Sequence, residues 1–223
     1  MKTDVLGRRN RFERNALGNN HYVTSRDVEW MSLAGRHGGR LSTPYFHQFT
    51  SRHLKSLNTT QKRLNILFNE LGFFTRPGQQ ERVPYPNNKP ILYQLSPKGE
   101  EYLRDVEGLD FTNAPAIKRK HQDFEHEVMS SAISASCELN TLNSKYEFTP
   151  QHELGVSINM AIEGDTLKPD GAFRLSNLRN QVLVFREEDR GTEPLFSKAK
   201  RKSIEANLQL WKKAIGGGIY KDH

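Results

Sequence analysis

The sequence predicts an α+β chain in which a mainly helical first half precedes a second half where strands and helices mix. Apolar residues recur at helical spacing in three segments between residues 24 and 72. Between residues 145 and 187 they occur instead in short runs bounded by Asn, Gly and Pro, which is typical of strands. Charge divides the chain as well: residues 1–107 carry 17 Lys and Arg against 10 Asp and Glu, whereas residues 108–223 carry 16 of each. A basic half joined to a neutral half favours a nucleic-acid-binding module over a merely well-solvated surface.

Composition excludes several classes of protein. The 223 residues are 35% hydrophobic with a mean hydropathy of −0.75, and no run of about 18 apolar residues predicts a transmembrane helix. The first residues lack the apolar segment of a secretory signal. Cys137 is the only cysteine, which rules out an internal disulfide or a Cys-based zinc cluster and suits a reducing cytosol. We therefore expect a cytoplasmic protein without a membrane partner.

A first domain is predicted over residues 21–107, after a basic flexible arm at residues 1–20. Its first helix begins at Thr24 or Ser25 and ends near Gly35. The second helix begins at residues 42–44, where Pro44 is preset for a first turn. The third opens with a capping box at residues 58–61 and ends at Gly72.

After Gly72 the pattern changes to that of strands. A strand begins at Phe73, and residues 82–86 and 91–95 flank the turn Asn87-Asn88 as a hairpin. Ser96-Pro97 then caps a closing helix. Three helices, a strand, a hairpin and a closing helix make a winged helix-turn-helix.

The third helix is the predicted reader of double-stranded DNA. Its core face carries Leu64, Leu67, Phe68 and Leu71, so its other positions face solvent. Lys and Arg supply phosphate contacts and guanine recognition, and Asn can pair with adenine. The predicted DNA contacts on this helix and the hairpin are Thr59, Thr60, Lys62, Arg63, Asn65, Asn69, Arg82 and Lys89. The alternative is a winged helix that serves protein contacts.

A linker at residues 108–116 is predicted to precede a second domain at residues 117–223. Its first element is an amphipathic helix from about Pro115 to Leu139, on which His121 and Glu125 are one turn apart. A zinc site there would need the HExxH pattern or a third ligand, and the sequence offers neither. Strands at 145–148, 171–175 and 181–187 and a Lys-rich helix at 194–214 complete the predicted domain.

Acidic residues stand at the ends of two of these strands. Asp170 follows Pro169, and Glu187 and Asp189 share one face of the strand that begins at Gln181. Carboxylates that converge from neighbouring strands can hold Mg²⁺. A helix, acid-bearing strands and a Lys-bearing helix are the layout of the PD-(D/E)xK nuclease superfamily, in which the metal activates a water. The candidate catalytic residues are Asp170, Glu187, Asp189, Lys198 and Lys202, and the three acids among them are the candidate Mg²⁺ ligands.

One position departs from that nuclease pattern. Two residues after Glu187 stands Asp189 where the superfamily has Lys, so Lys198 or Lys202 would have to act from the following helix. The structural alternative is a salt-bridged turn of Asp189, Arg190 and Glu193 that only closes the sheet onto the helix. Surface acids near Lys198–Lys202 would then form plain ion pairs, which contribute little stability.

The run Pro169-Asp170 with the run from Glu187 to Glu193, which ends in DRGTE, resembles the replication-relaxation family of plasmids and other mobile elements. The resemblance implies a winged helix, a helix bearing His126 or His121, and a nuclease-like α/β domain. Members of that family usually carry Lys and then Tyr one turn apart in the helix after DRGTE, whereas Asn207 and Trp211 stand there in this chain. They also usually continue into a further strand.

We therefore expect a DNA-binding protein of a mobile genetic element, acting in replication, transfer or transcription control, with a nuclease-like C-terminal domain that has lost or relocated its lysine. One alternative is an active Mg²⁺-dependent endonuclease, and another is a dimeric repressor whose C-terminal half only oligomerises. The expected partners are double-stranded DNA, a second copy of the chain, since two half-sites strengthen binding, and a replication or transfer protein.

Overall fold

The computed structural model describes residues 10–15, 18, 20–51, 56–82, 89–111, 121–154, 160–162, 165–167, 169–187 and 208–213. It is a mixed helix and sheet fold with small sheets, as the α+β prediction expects. Its contacts divide the chain into two units, Met1–Lys145 and Tyr146–His223. Among the helices in those described ranges, none combines the length and the apolar character that crossing a membrane requires.

The first unit contains five α-helices and one three-stranded antiparallel sheet of order β1-β3-β2 in its described part. In chain order the elements are α1 (Ser25–Arg36), β1 (Arg40–Ser42), α2 (Thr43–Thr50), α3 (Leu57–Ile66), β2 (Phe74–Thr75), β3 (Leu92–Leu95), α4 (Pro97–Glu107) and α5 (His121–Thr141). A π-helical turn, Leu67–Leu71, extends α3, and Gly72 ends it with a φ of 72° that favours glycine.

Helix starts follow the sequence signals closely, with one exception. Thr24 and Asp27 form the capping box of α1, and the Ser96 side chain accepts from the amide of Gly99 at the start of α4. The capping box predicted at Asn58 is wrong, because α3 begins at Leu57 and its cap is Ser56, whose hydroxyl accepts from the Asn58 amide at 3.2 Å.

The predicted hairpin also differs from the structure. β3 pairs with β2, with Phe74 opposite Leu95, whereas Arg82 ends a 3₁₀-helix, Gly78–Arg82, and does not begin a strand. The Gln80 carboxamide explains the difference, because it donates to the Leu92 carbonyl at 2.9 Å and accepts from the Leu92 amide at 3.0 Å. A side chain thus satisfies the backbone groups that a neighbouring strand would otherwise pair. Residues 83–88 of that prediction lie outside the described part.

Aromatic side chains dominate the core of the first unit. Trp30, Phe46, Phe74 and Tyr93 are all nearly or wholly buried, and their rings meet at tilted or edge-to-face angles with centroids 5.5–6.4 Å apart. The apolar face predicted for the third helix is confirmed, since Leu64, Leu67 and Phe68 are buried in this core. The core therefore fixes which side of α3 faces outward.

Helix α5 packs in the first unit through polar groups. His37 is fully buried, with Nδ1 2.9 Å from the Ser134 hydroxyl and Nε2 2.8 Å from the Glu138 carboxylate. Arg36 also pairs with Glu138, and Arg40 pairs with Glu127. The contacts of α5 are with α2 and β1, within the first unit, and the boundary after Lys145 lies beyond residue 117, where the second domain is predicted to begin.

The segments predicted as arm and linker make specific contacts where they are described. Arg14 donates to the carbonyls of Asn69 and Glu70 at 2.9 and 3.2 Å, so residues 10–15 are docked at the end of α3. On the other side, α4 continues to Glu107, and the ring of Phe111 lies where a side chain at Gly35 would otherwise sit. Residues 1–9 and 112–120 lie outside the described part.

Among its described residues, the second unit has a three-stranded antiparallel sheet of order β4-β7-β8 and a separate two-stranded sheet of β5 and β6. These strands are β4 (Glu147–Pro150), β5 (Met160–Ile162), β6 (Asp165–Leu167), β7 (Gly171–Ser176) and β8 (Gln181–Arg186). The turn predicted at residues 177–180 joins β7 to β8, and the Asn177 carboxamide accepts from the amides of Arg179 and Asn180. Residues 208–213 are helical, within the helix predicted at 194–214.

We predict that Glu138→Ala destabilises the first unit by about 3 kcal/mol, because it leaves the buried imidazole of His37 and the Arg36 guanidinium without their carboxylate. The measurement is urea unfolding followed by Trp30 fluorescence in a Trp211→Phe background. The control is Glu125→Ala, which removes an exposed carboxylate from the same helix. Equal losses in the two variants would show that the Glu138 contacts do not hold α5 in place.

Candidate functional sites

The outward side of α3 carries a row of polar side chains. Asn58, Gln61, Lys62 and Asn65 are exposed and stand at positions i, i+3, i+4 and i+7, so they share one face of the helix. We call this row the exposed α3 face. Thr59, another predicted DNA contact, is exposed beside it. Amides and a lysine in a row form a surface that can donate to and accept from a polar partner.

Two other predicted contacts point inward. Thr60 is fully buried, and its hydroxyl lies 3.1 Å from Nδ1 of His47 on α2. Arg63 binds α1 and the chain that precedes it: its Nε donates to Asp27 Oδ1 at 2.9 Å, and its Nη2 donates to the Tyr22 carbonyl at 2.6 Å. These two residues hold α3 on its neighbours.

Asp27 is wholly buried and is the anchor of that attachment. Burial by itself would raise the pKa of Asp27, but hydrogen bonds from Arg63 and from Thr24 outweigh it and hold the pKa below its ordinary value of 3.8. The same ion pair raises the pKa of Arg63. The pair is therefore charged at neutral pH, and Asp27 serves both the capping box of α1 and the position of α3.

The end of α3 and the nearby chain carry further predicted contacts. Asn69 is half-buried and accepts at its side-chain oxygen from the Asn15 amide at 2.8 Å. Lys89 is exposed, and its carbonyl accepts from Arg11 at 3.4 Å, which brings the docked residues 10–15 beside it. The Arg82 side chain lies outside the described part. Burial and the neighbouring charge of Arg76 both lower the pKa of Arg11.

The acidic candidates of the second unit lie at the ends of paired strands. The last pair between β7 and β8 is Gly171 with Arg186, and Asp170 and Glu187 are the next residue on each side. Both are exposed, and the Asp170 amide donates to the Arg186 carbonyl at 2.9 Å. The pairing of these two strand ends places Asp170 and Glu187 at the same edge of the sheet.

Gly171 lies under the side chain of Arg186. A side chain at position 171 would meet the Arg186 guanidinium, which would have to move aside. The glycine in the PDG run therefore makes room for an arginine beside the acid.

Trp211 is a residue of this site whose contact the sequence did not predict. Its Nε1 donates to Glu187 Oε1 at 3.0 Å, and its ring packs on Phe185 with centroids 5.4 Å apart. The bond fixes one oxygen of the Glu187 carboxylate. The only signal for it in the sequence is the position of Trp211 in the helix after the DRGTE run, where the resembled family has a tyrosine.

The remaining members of the predicted nuclease site, Asp189, Lys198 and Lys202, lie outside the described residues. His126 is on α5, in the first unit. Within the described ranges, no group of three or more His, Cys, Asp or Glu side chains is arranged to hold a metal ion.

Comparison with known proteins establishes the family. The sequence profile of the replication-relaxation family matches residues 38–216, which is 179 of the 223 residues, so the chain belongs to that family. Membership suggests a protein related to the replication of mobile elements. No curated protein and no solved structure matches the chain.

We predict that Asp27→Asn destabilises the first unit by about 2 kcal/mol at neutral pH, since Arg63 loses its charged acceptor. Because the folded pKa of Asp27 is depressed, its contribution is complete above 3.8 and is lost as the pH falls through the lower folded value. The difference in unfolding free energy between wild type and variant should therefore shrink below 3.8. Urea unfolding at several pH values measures it, and a difference independent of pH would contradict the ion pair.

Proposed function

We propose that the first unit is a winged helix-turn-helix that binds double-stranded DNA through the exposed α3 face. The observation that carries the proposal is the polar row from Asn58 to Asn65 on a helix whose opposite side is held in the core. The element order α1-β1-α2-α3-β2-β3-α4 and the sheet order β1-β3-β2 support it, since this is the layout of a winged helix. The chain between β2 and β3, which includes Lys89, would be the wing.

Charge supports the same proposal. With the boundary after Lys145, the first unit holds 21 Lys and Arg against 15 Asp and Glu, and the second holds 12 against 11. The excess of positive charge therefore stays with the unit that carries the exposed α3 face. Cationic side chains on that unit would displace counterions from the phosphate backbone, which makes binding weaken as salt rises.

We predict that Lys62→Ala weakens DNA binding several-fold across unrelated duplexes and reduces the slope of log affinity against log salt by about one. The reason is the loss of one exposed cation from the α3 face. Fluorescence anisotropy with labelled duplex at several salt concentrations measures both quantities.

The matched control is Arg104→Ala, which removes an exposed cation from α4, where Arg104 is paired with Asp105. It should leave the slope unchanged. If both variants changed the slope equally, the affinity would reflect net charge and not the exposed α3 face. A wild-type affinity that does not respond to salt would count against phosphate contacts altogether.

We further propose that the second unit is a nuclease-like domain in which Asp170 and Glu187 bind a divalent cation. Two carboxylates at adjoining strand ends are oxygen ligands of the type that Mg²⁺ prefers, and Trp211 orients one of them. Bound there, Mg²⁺ would supply a Lewis acid for phosphodiester chemistry. This chain's own residues would hold it, with Asp189 as a third acid and Lys198 or Lys202 as a charged helper.

We predict that Mg²⁺ changes the fluorescence of Trp211, because a cation on Glu187 alters the carboxylate that the indole contacts. Titration of the wild type with Mg²⁺ should give a saturable change. Asp170→Ala should weaken the response about tenfold or more by removing a ligand, and Trp211→Phe should abolish it while keeping an aromatic ring on Phe185. An unchanged response in Asp170→Ala would exclude that residue as a ligand.

A DNA-cleavage assay distinguishes an inactive nuclease-like domain from an active endonuclease. The protein is incubated with supercoiled and linear DNA in Mg²⁺ or Mn²⁺, using wild type and Asp170→Ala. If the lysine is lost, the wild type binds the cation without cutting. Metal-dependent nicking that disappears in Asp170→Ala would identify the endonuclease instead, which the juxtaposition of Asp170 and Glu187 favours as the second candidate function.

A further inference from the structure

A buried arginine organises the outward end of α3. Arg76 follows β2 and is nine-tenths buried, with its guanidinium over the ring of Phe68 at 4.3 Å and the ring of Tyr93 at 4.9 Å. Its Nη2 donates to the Tyr93 hydroxyl at 2.6 Å and to the Asn65 side-chain oxygen, and its Nη1 donates to the Arg11 carbonyl. We call these contacts the Arg76 cluster.

The cluster determines how the Asn65 carboxamide is turned. A guanidinium only donates, so the Asn65 atom that faces Arg76 must be the oxygen. The Tyr93 hydroxyl accepts from Arg76 and donates to the same oxygen at 3.3 Å. Burial raises the pKa of Tyr93 despite the nearby Arg76 charge, so this hydroxyl keeps its proton at neutral pH.

The carbonyl oxygen of an amide has two lone pairs, and both of those on Asn65 are used inside the protein. The amide nitrogen, with its two hydrogens, is what remains for an outside partner. Asn65 itself is exposed and belongs to the same row as Gln61 and Lys62. It therefore presents donors and no acceptor on the exposed α3 face.

We infer that Asn65 is a specificity-determining residue that reads a keto oxygen, on guanine or thymine, in the major groove, with Arg76 and Tyr93 as its positioning residues. This inference rests on the proposed function. Guanine offers acceptors at O6 and N7 and thymine one at O4, whereas adenine sets its one acceptor, N7, beside the N6 amino donor, so the bidentate pair of asparagine with adenine needs a side-chain acceptor that Asn65 does not offer. The sequence predicts that an asparagine on this helix pairs with adenine, whereas the contacts of Asn65 favour guanine or thymine.

The inference is tested by selecting duplexes from a randomised pool with the full-length wild type, Asn65→Asp and Tyr93→Phe. Asn65→Asp removes both donors but keeps an oxygen for Arg76, so the cluster survives. It should lose the preference for guanine or thymine at one position and bind the wild-type site about tenfold more weakly. Tyr93→Phe keeps the ring and returns one lone pair to Asn65, so adenine should become acceptable at that position.

A wild type that selects guanine or thymine at a position that Asn65→Asp makes indifferent supports the inference. DNA binding in which Asn65→Asp changes no position, or in which the dependent position is adenine, overturns it and leaves the proposed function standing. A wild type that binds no duplex overturns both. Urea unfolding of each variant confirms that the first unit is folded in these measurements.

Discussion

The buried carboxylate of Asp27 holds two helices at one point. It accepts from the backbone and hydroxyl of Thr24, which closes the first turn of α1, and from Arg63, which is in the middle of α3. Because α3 turns about 100° per residue, anchoring Arg63 inward places its neighbours Lys62 and Asn65 outward. The direction of the exposed α3 face follows from this ion pair and from the apolar residues behind it. A substitution at Asp27 would therefore change the orientation of the exposed α3 face, although Asp27 itself is buried.

Polar groups play the same part where α5 joins the first unit. The buried side of α5 carries Ser131, Ser134 and Glu138 beside the apolar Phe124 and Ala135, and its polar members meet His37 and Arg36. A buried charge that loses its partner destabilises the protein strongly, so these contacts disfavour any placement of α5 that separates Glu138 from His37 and Arg36. The helix is thereby committed to the first unit, although it connects directly to the strands of the second.

In the second unit, strand pairing places two acids at one edge of the sheet. The register of β7 and β8 sets Asp170 and Glu187 at adjoining strand ends, Gly171 leaves room for the Arg186 side chain, and Trp211 donates to the Glu187 carboxylate from a helix far along the chain. The register and the space at Gly171 are local consequences of the β7–β8 hairpin. The hydrogen bond from Trp211 is a tertiary contact, and it limits how the Glu187 side chain can move.

The elements of this protein were largely determined by the sequence alone. Thr24, Ser96 and Gly72 mark helix ends through local hydrogen bonds or a local φ, and the Asn177 turn marks the β7–β8 hairpin, so periodicity and turn chemistry were sufficient. The family could likewise be inferred from two short runs, Pro169-Asp170 and Glu187 to Glu193, and was then established by the match over residues 38–216. Such features depend on residues within a few positions of each other.

Which polar residues face outward was decided only by the tertiary structure. Thr60, Arg63 and Asn65 are all polar residues of the same helix, and the sequence gives no reason to separate them. In the structure Thr60 is buried against His47, Arg63 is paired with Asp27, and Asn65 is exposed while its side-chain oxygen accepts from Arg76. Arg76 is an isolated cation after a two-residue strand, and no spacing marks its role. The hydrogen-bond partners that set these orientations are 11 to 36 residues away along the chain. A local sequence pattern cannot predict a hydrogen bond whose second partner lies on a different element.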